Sequence, residues 1–583
     1  MSHDPVHGDE HLATGADTSA GGPVDQQNTA GMSSPEAIRA ATEARIAQER
    51  EELAAKDARK SRSGGNAGGP DDPGIEINSK FVIECLRANE LGDGMLYAAM
   101  HQNRVVFAKN SQQWYVWDQH RWKRDDMDEA VGSVEAIACR YAEEIPRLKK
   151  EITDAYASDQ EEGKLVARRN NSIIDDLHKR ISRLRKDSGR NNCLKFAHTN
   201  PKNQLAITGR EFDMNPWLMA TPNGVVNLKT GELESGYPSD YISKRTAAPF
   251  LGLGRKATGN IWTETLLQIY DDDEELIAYL QRLFGYGITG LSTEHVFPVM
   301  IGRGRNGKSL IIEALSHALG DYCGVVPADL LLESSRQANA AQSTPELMAL
   351  KGLRLAIASE TDEGRKFSAA RVKWLTGGDT ITARGLYDKH PTEFDPTHLL
   401  ILLTNHEPGA PDSDMAFWER CFLIQHRLSF VNREPSGDKE RRADRSLPIK
   451  LRQAGSEILE WLVVGCLEWQ RLGLNPPASV IKSTSEYREE SDYIGQFLEA
   501  ATIKKDGTSE MAGILYEAFR IWYTATINEN QRYVPSQKAF GKKLRSREEY
   551  PPSKSNGLVV YHGLSLTPEY LRKVMDSQKD GDG

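Results

Sequence analysis

The residues Gly302-Arg303-Gly304-Arg305-Asn306-Gly307-Lys308-Ser309 fit the spacing G-x-x-x-x-G-K-[ST] without exception. Each residue type has a physical reason for its place. Glycines let backbone N–H groups approach a phosphate closely, and a helix that begins at the loop adds positive potential from its N-terminus. The Lys308 ammonium can reach β- and γ-phosphates, and the Ser309 hydroxyl can sit on Mg²⁺. The chemistry implied is the binding of a nucleoside triphosphate, with ATP and Mg²⁺ as the expected cofactors. The whole stretch Gly302 to Ser309 is the candidate binding loop.

Three further positions can complete such a site. Leu353-Arg-Leu-Ala-Ile-Ala-Ser-Glu360 ends in an acid, and a carboxylate at a strand tip can orient and deprotonate an attacking water, or help hold Mg²⁺ through water. Ser359 stands where many such strands carry a second acid, and the nearest other acid is Asp362. His398-Leu-Leu-Ile-Leu-Leu-Thr-Asn405 ends in an amide that can hydrogen-bond a γ-phosphate or the water. Arg420, in Asp414-Met-Ala-Phe-Trp-Glu-Arg-Cys421, is a candidate arginine finger acting on a neighbouring subunit's nucleotide. Between the first and second of these segments, Gly377-Gly378 and Gly385 mark turns, and the second turn bears Arg384, Tyr387, Lys389 and His390. A basic tip with an aromatic ring suits a single strand of nucleic acid: charge for phosphates, a flat face for bases. The same pattern also describes a solvated hairpin.

The elements that must position these groups follow from the surrounding pattern. Val296-Phe-Pro-Val-Met-Ile301 reads as a buried strand before the loop, and Leu310 to Leu319 as the helix after it. From about Trp262, short apolar strands alternate with helices, the pattern of an α/β nucleotide-binding core. Upstream, Trp114-Tyr-Val-Trp-Asp-Gln-His-Arg-Trp122 reads as strand, turn and strand, and Asn223 to Gly231 as another strand and turn. Residues 128–190 are helical in pattern. Lys164 to Lys195 holds ten Lys or Arg against three Asp, a charge run that is more often a solvated helix face than a nucleic-acid contact. Pro448 to Leu472 reads as helix, punctuated by Pro476-Pro477. Near the C-terminus, Ser536 can cap a helix running to about Arg547, with Lys538, Lys542, Lys543, Arg545 and Arg547 on it and Phe540 and Leu544 sharing its inner face. Leu558-Val-Val-Tyr561 follows as a strand. A basic helix with an apolar inner face suits a DNA groove, and Lys538, Lys542 and Lys543 are its candidate contacts.

Taken in order, these segments resemble the phage/plasmid primase–helicase family, which includes poxvirus primase–helicases and whose motor is a superfamily 3 helicase. The likeness covers residues from about 80 to about 570. It rests on Trp114–Trp122, Phe212-Asp-Met-Asn-Pro216 through Gly231, Gly302–Ser309, Ser359-Glu360-Thr361, Leu375-Thr-Gly-Gly-Asp-Thr-Ile-Thr-Ala-Arg384, Leu403-Thr-Asn405 and Pro477 to Arg488. The phosphate loop alone is common to many ATPases; the loop with Glu360, the Gly-Gly-Asp hairpin and Asn405 is specific. The resemblance implies an α/β, AAA+-like superfamily 3 core, an α+β N-terminal domain and a C-terminal winged helix. It implies a ring, usually a hexamer, that hydrolyses ATP and moves on single-stranded or forked DNA. Lys308 and Ser309 would then hold nucleotide and Mg²⁺, with Glu360 the catalytic acid, Asn405 the sensor and Arg420 the finger in trans. Arg384 to His390 would form the channel hairpin. A separate primase or polymerase is the implied partner. Primase activity within this chain is not expected, because no strand-borne Asp-x-Asp pair and no zinc-ligand cluster accompanies the motor. The alternatives are a nucleic-acid remodelling or packaging ATPase, and an origin-binding initiator switched by ATP.

Composition bounds the rest. The 583 residues suit three to five domains at about 100–200 residues each. A hydrophobic fraction of 39% is ample for sizeable cores, and a net charge of −10 excludes a uniformly basic coat but not a local basic surface. The six cysteines are too dispersed for a zinc ribbon or a Cys-x-x-Cys pair. No apolar run approaches the roughly 18–20 residues of a membrane span, and Met1-Ser-His-Asp-Pro5 lacks the basic and apolar parts of a secretory leader. A cytoplasmic protein without membrane contact is expected. The expected division is a tail and linker with a charged helix over 1–75, an N-terminal domain over 76–255, the ATPase over 256–430, a helical connector over 431–490, the winged helix over 491–575 and a polar tail over 576–583.

Overall fold

The computed structural model describes residues 77–200, 205–254, 260–333, 344–359, 366–386, 391–410, 414–527, 534–545, 547, 549–555 and 557–580. All of these fall in one unit, Asp71–Gly583. The tail expected over 1–75 lies outside the described residues.

Five apolar segments build the central sheet: β1 (Phe297–Ile301), β2 (Cys323–Pro327), β3 (Leu355–Ser359), β4 (Leu399–Thr404) and β5 (Cys421–Gln425). The order is β5-β1-β4-β3-β2 and every pairing is parallel. A parallel sheet is covered on both faces, which is why β1 and β4 are apolar and buried at every residue. Side chains alternate between two cores. Met300, Leu399, Ile401 and Leu403 pack with helices α1 (Ile261–Tyr270), α2 (Glu274–Gly287), α3 (Lys308–Leu319) and α4 (Gly455–Leu472). Phe297, Val299, Leu400 and Leu402 pack instead with Val372, Leu375, Phe417 and Trp418. The mixed α/β architecture with a parallel sheet is therefore as the sequence pattern leads one to expect.

The N-terminal region carries a four-stranded sheet and a helical layer. Gln113–Asp118 and Arg121–Arg124 form the expected hairpin, with Trp117 opposite Trp122 and their rings 5.4 Å apart. Gln119 at φ +57° makes the two-residue turn possible. Helices Val134–Ser158 and Gln160–Leu184 are joined through Asp159 alone, so they run antiparallel. The Asp159 carboxylate caps the second helix by accepting the amides of Glu161 and Glu162 at 2.7 and 3.0 Å. A second, three-stranded antiparallel sheet follows at Leu218–Thr221, Gly224–Asn227 and Glu232–Glu234. It is anchored to the base of the central sheet by Arg354, just before β3. That buried guanidinium donates to the carbonyls of Pro216 (2.7 Å), Ile288 (3.1 Å) and Leu218 (3.3 Å).

Beyond α4, the helix Ala478–Ser491 packs on β5, where Thr484 Oγ1 accepts the Leu423 amide at 2.9 Å. The last part combines helices Tyr493–Ala501, Ala512–Thr526, Gln537–Arg545 and Pro568–Asp580 with an antiparallel sheet. Its order is Thr502–Met511, Leu558–Leu566, Pro552–Ser555. Its own core includes Phe497, Phe519, Trp522, Phe540, Leu544 and Tyr561. Among the described residues, no helix is long and apolar enough to cross a membrane.

Candidate nucleotide-binding site and nucleic-acid-facing elements

The register of the central sheet decides which sequence candidates can meet. Thr404 pairs with Ile301 and Leu403 with Ser359, so β1, β4 and β3 end at one edge. The loop Gly302–Gly307 leaves β1 there and returns into α3. Two residues take positive φ to make that turn, Arg305 at +62° and Gly307 at +84°. Gly302 is required for a second reason: a Cβ at this position would lie 2.2 Å from Asn306 Nδ2 and 2.6 Å from the His426 carbonyl oxygen. Gly307 is the N-terminal cap residue of α3, and the first turn of that helix carries no acid. The leading amides of α3 have no carbonyl partner within the helix, so they point toward the loop as donors.

Lys308 is buried and lies beneath the loop. Its ammonium donates to the Gly302 carbonyl at 2.5 Å, to Asn306 Oδ1 at 3.1 Å and to Asn405 Oδ1 at 3.2 Å. The last contact joins two positions 97 residues apart in sequence, both expected to serve the phosphates. Burial pushes the Lys308 ammonium down to about 8. Asn306 is buried, and its Nδ2 finds no hydrogen-bond partner among the described residues. A buried amide donor, an ammonium and helix-start amides without an intrahelical acceptor together form a donor set that fits a phosphate group. Arg303, Gly304, Arg305 and Ser309 are exposed around it, which leaves the Ser309 hydroxyl available to a nucleotide-borne metal. Among the described residues no group of three His, Cys, Asp or Glu side chains could hold a metal by itself.

Glu360 and Asp362 lie outside the described residues, immediately past the β3 end that Ser359 marks. Arg420 is not at this edge. It precedes β5, and its carbonyl accepts the Phe297 amide at 2.6 Å, at the start of β1. The length of β1 separates it from the loop, roughly 17 Å at about 3.3 Å per residue. Its guanidinium bonds the Ala416 carbonyl at 2.7 Å and lies 3.4 Å from His295 Nδ1. Arg420 is thus excluded from the phosphate loop of its own chain.

The expected hairpin is present. Ile381–Ala383 pairs with Thr392–Phe394, Gly378 takes φ +83° at the turn before it, and Thr380 Oγ1 donates to Asp395 at 2.8 Å across it. Arg384 stands where the strand enters the tip; its amide donates to Thr344 Oγ1 at 3.1 Å and its carbonyl accepts the Thr344 amide at 2.8 Å. Leu386 beyond it is exposed; Tyr387, Lys389 and His390 lie outside the described residues. In the C-terminal part the basic helix spans Gln537–Arg545 rather than reaching Arg547, which is drawn off to Asp492. Ser536 Oγ accepts the Ala539 amide at 3.4 Å as a cap, and Phe540 and Leu544 are buried together. Lys538 and Lys542 are exposed. Lys543 differs: its ammonium lies 4.0 Å from the Tyr493 ring centroid and is half-buried.

Sequence reasoning missed three things here. His426 and the segment after β5 touch the phosphate loop, and Tyr270 reaches it through His426: His426 Nδ1 lies 3.2 Å from the Asn306 carbonyl, the Phe430 amide donates to the Arg305 carbonyl at 2.7 Å, and the Tyr270 hydroxyl lies 3.2 Å from His426 Nε2. A lone His after an apolar strand gave no signal. Arg354 has no mark in the sequence beyond its place before an apolar strand. The cations of Lys164–Lys195 proved to be largely paired inside the molecule, as described below.

Comparison with known proteins now adds an independent finding. A family described as D5 N terminal like matches residues 94–275, and a family of unknown function matches residues 300–420. The first spans the Trp117–Trp122 hairpin and both N-terminal sheets; the second runs from the end of β1 to Arg420. A putative helicase of Acanthamoeba polyphaga mimivirus is 28% identical over 425 residues, covering 70% of this chain and 43% of its own length. A putative helicase of Frog virus 3 is 23% identical, over 62% of this chain and 44% of its own. A putative primase of African swine fever virus is 23% identical, over 59% and 37%. The chain spans about half the length of the curated relatives it matches. Among solved structures, the apo C-terminal region of NrS-1 aligns with a TM-score of 0.33 at 12% identity, over 54% of this chain and 77% of that one. The matched regions contain the N-terminal sheets and the phosphate loop, and the chain is similar to viral proteins described as helicases and primases.

Proposed function

We propose that this chain is an ATP-driven DNA helicase with a superfamily 3-type P-loop core, which translocates on single-stranded DNA as a homo-oligomeric ring. The observation that carries the reading is the contact of Lys308 with Asn405 across the shared edge of β1 and β4. It joins the candidate phosphate-binding lysine to the candidate sensor at the one edge where a phosphate loop enters a helix. ATP with Mg²⁺ would supply the driving reaction: Lys308, Asn306 and the first amides of α3 bind and orient the phosphates, and Asn405 reports on the γ-phosphate. Glu360 would activate water from the end of β3. Arg420, facing away from its own loop, would serve the nucleotide of an adjacent subunit. The Ile381–Phe394 hairpin is the proposed single-strand contact, through Arg384, Tyr387, Lys389 and His390. The helix Gln537–Arg545 with the Pro552–Leu566 hairpin is the proposed winged-helix duplex contact. The proposal is confined to the motor and its DNA contacts; a primase would act as a partner.

The test is ATP-driven unwinding of a forked duplex by wild type and Lys308→Ala. Unwinding by wild type that disappears in the variant is expected. Hydrolysis and DNA binding by wild type without strand separation would indicate a remodelling ATPase instead. Tight duplex binding with almost no turnover would indicate an ATP-switched initiator.

A further inference from the structure

The phosphate loop is held from below by two side chains that the nucleotide itself need not touch. Tyr270 is the last residue of α1, and its buried hydroxyl lies 3.2 Å from His426 Nε2. The other ring nitrogen, His426 Nδ1, lies 3.2 Å from the main-chain carbonyl of Asn306, inside the loop. Asn306 in turn accepts from the Lys308 ammonium through Oδ1. The donors can be assigned from chemistry. A carbonyl oxygen only accepts, so Nδ1 carries the imidazole proton; Nε2 is then bare and accepts from the Tyr270 hydroxyl. Burial, reinforced by the nearby Lys308 charge, pushes His426 down to about 3, which keeps this neutral tautomer in place at neutral pH. The neighbouring contacts have the same direction. The His426 amide extends the β5–β1 ladder to Ile301, and its carbonyl packs on Gly302. Ile269, beside Tyr270, fills the space a Cβ on Gly307 would need, 2.7 Å away. The end of α1 therefore meets the loop at Gly307 directly and at Asn306 through His426.

We infer that Tyr270 and His426 are positioning residues for the phosphate loop, setting the Asn306 carbonyl and hence the amide and ammonium groups that receive the phosphates. The inference rests on nucleotide binding at this loop, as proposed above. Tyr270 also lines a cavity of about 190 Å³ with Asp271, Asp273, Leu276, Gln425 and Arg427. A contact between Tyr270 and some other part of a nucleotide is therefore the rival explanation that an experiment must separate.

The experiment measures binding of ATP, and of inorganic tripolyphosphate by competition, to the full chain. Tyr270→Phe removes only the hydroxyl; His426→Phe removes both ring hydrogen bonds; His426→Gln restores one donor and one acceptor; thermal melting monitors the fold. Loss of one ordinary hydrogen bond on the loop should weaken ATP and tripolyphosphate alike, about fivefold to tenfold, in Tyr270→Phe and His426→Phe. His426→Gln should recover part of that loss, which a mere loss of packing would not allow. Weaker ATP binding with tripolyphosphate unchanged would overturn the inference and place Tyr270 at the base or sugar. Unchanged binding of both ligands by folded Tyr270→Phe would overturn it as well, even if His426→Phe fails to fold. If wild type binds neither ligand, or Lys308→Ala binds them equally well, it is the nucleotide-site reading itself that fails.

Discussion

Two helices of this chain look alike as sequences and differ as surfaces. The stretch Lys164 to Lys195, centred on the helix Gln160–Leu184, carries ten cations; the helix Gln537–Arg545 carries four. In the first, seven of the ten are ion-paired: Lys164, Arg169, Lys179, Arg180, Arg183, Arg185 and Arg190. Arg180 is the extreme case, buried against Asp93 at 2.9 Å while Asp93 also accepts from Tyr141 at 3.0 Å. In the second helix, Lys538 and Lys542 carry no ion pair among the described residues, and the inner face is fixed by Phe540 and Leu544. The difference lies in where acids arrive. Glu90, Asp93, Glu135 and Glu151 reach the stretch Lys164 to Lys195 from other elements; Asp93 is 87 residues from Arg180. Positive charge that folding neutralises has little left to attract a phosphate backbone, whereas unpaired exposed charge retains its field.

The largest effect expected from this comparison is on stability. Arg180→Ala leaves the Asp93 carboxylate buried without its cation, and removing one partner of a buried pair costs about 3–5 kcal/mol. Burial holds Asp93 above the ordinary carboxylate range even with Arg180 lowering it. Without Arg180 its folded-state value rises further, so the folded protein binds a proton at a pH where the unfolded chain does not. A raised carboxylate favours folding at low pH and loses that contribution as pH rises. The variant's deficit in denaturant unfolding should therefore shrink from pH 8 toward pH 5. A deficit that does not change with pH would mean Arg180 acts by packing alone.

The second effect is on binding. Lys538→Ala with Lys542→Ala should flatten the dependence of log K on log salt by roughly 1.8 for duplex DNA, two phosphate contacts at about 0.9 each. Lys164→Ala with Lys179→Ala should leave affinity and slope unchanged, because those charges are already compensated by Glu161 and Asp176. Equal losses from the two double variants would erase the distinction between the helices.

How much of this was legible in sequence divides along the same line. The phosphate loop, its strand and its helix are local patterns, and the two later strands, read as running up to Glu360 and Asn405, followed from apolar runs of fixed length. The inner face of the C-terminal helix was legible from the spacing of Phe540 and Leu544. What was not legible depends on distant partners: the acids around Gln160–Leu184, the Arg354 anchor on carbonyls more than 60 residues away, and the link from Tyr270 to His426 across 156 residues. A periodicity argument sees which face of an element is apolar; it does not see which other element brings the opposite charge. The boundary of the basic helix shows this in miniature. Arg547 has the helical charge pattern, but Asp492 at the start of another helix takes it.

The smallest predicted effect concerns Lys543, which sequence alone grouped with Lys538 and Lys542. Its ammonium sits over the Tyr493 ring, so its charge is partly committed to the domain's own packing. A cation–π contact at a half-exposed site contributes about 0.5–1 kcal/mol. Lys543→Ala should lower stability by about that amount in the wild-type background and by clearly less in a Tyr493→Leu background, where the ring also loses its packing on Phe519 and Tyr523. The salt slope of DNA binding should stay at its wild-type value in Lys543→Ala. A slope that falls by about 0.9, as for one lost phosphate contact, would instead place Lys543 with Lys538 and Lys542. The two basic helices would then differ in degree rather than in kind, since a cation with an internal partner would still be meeting DNA.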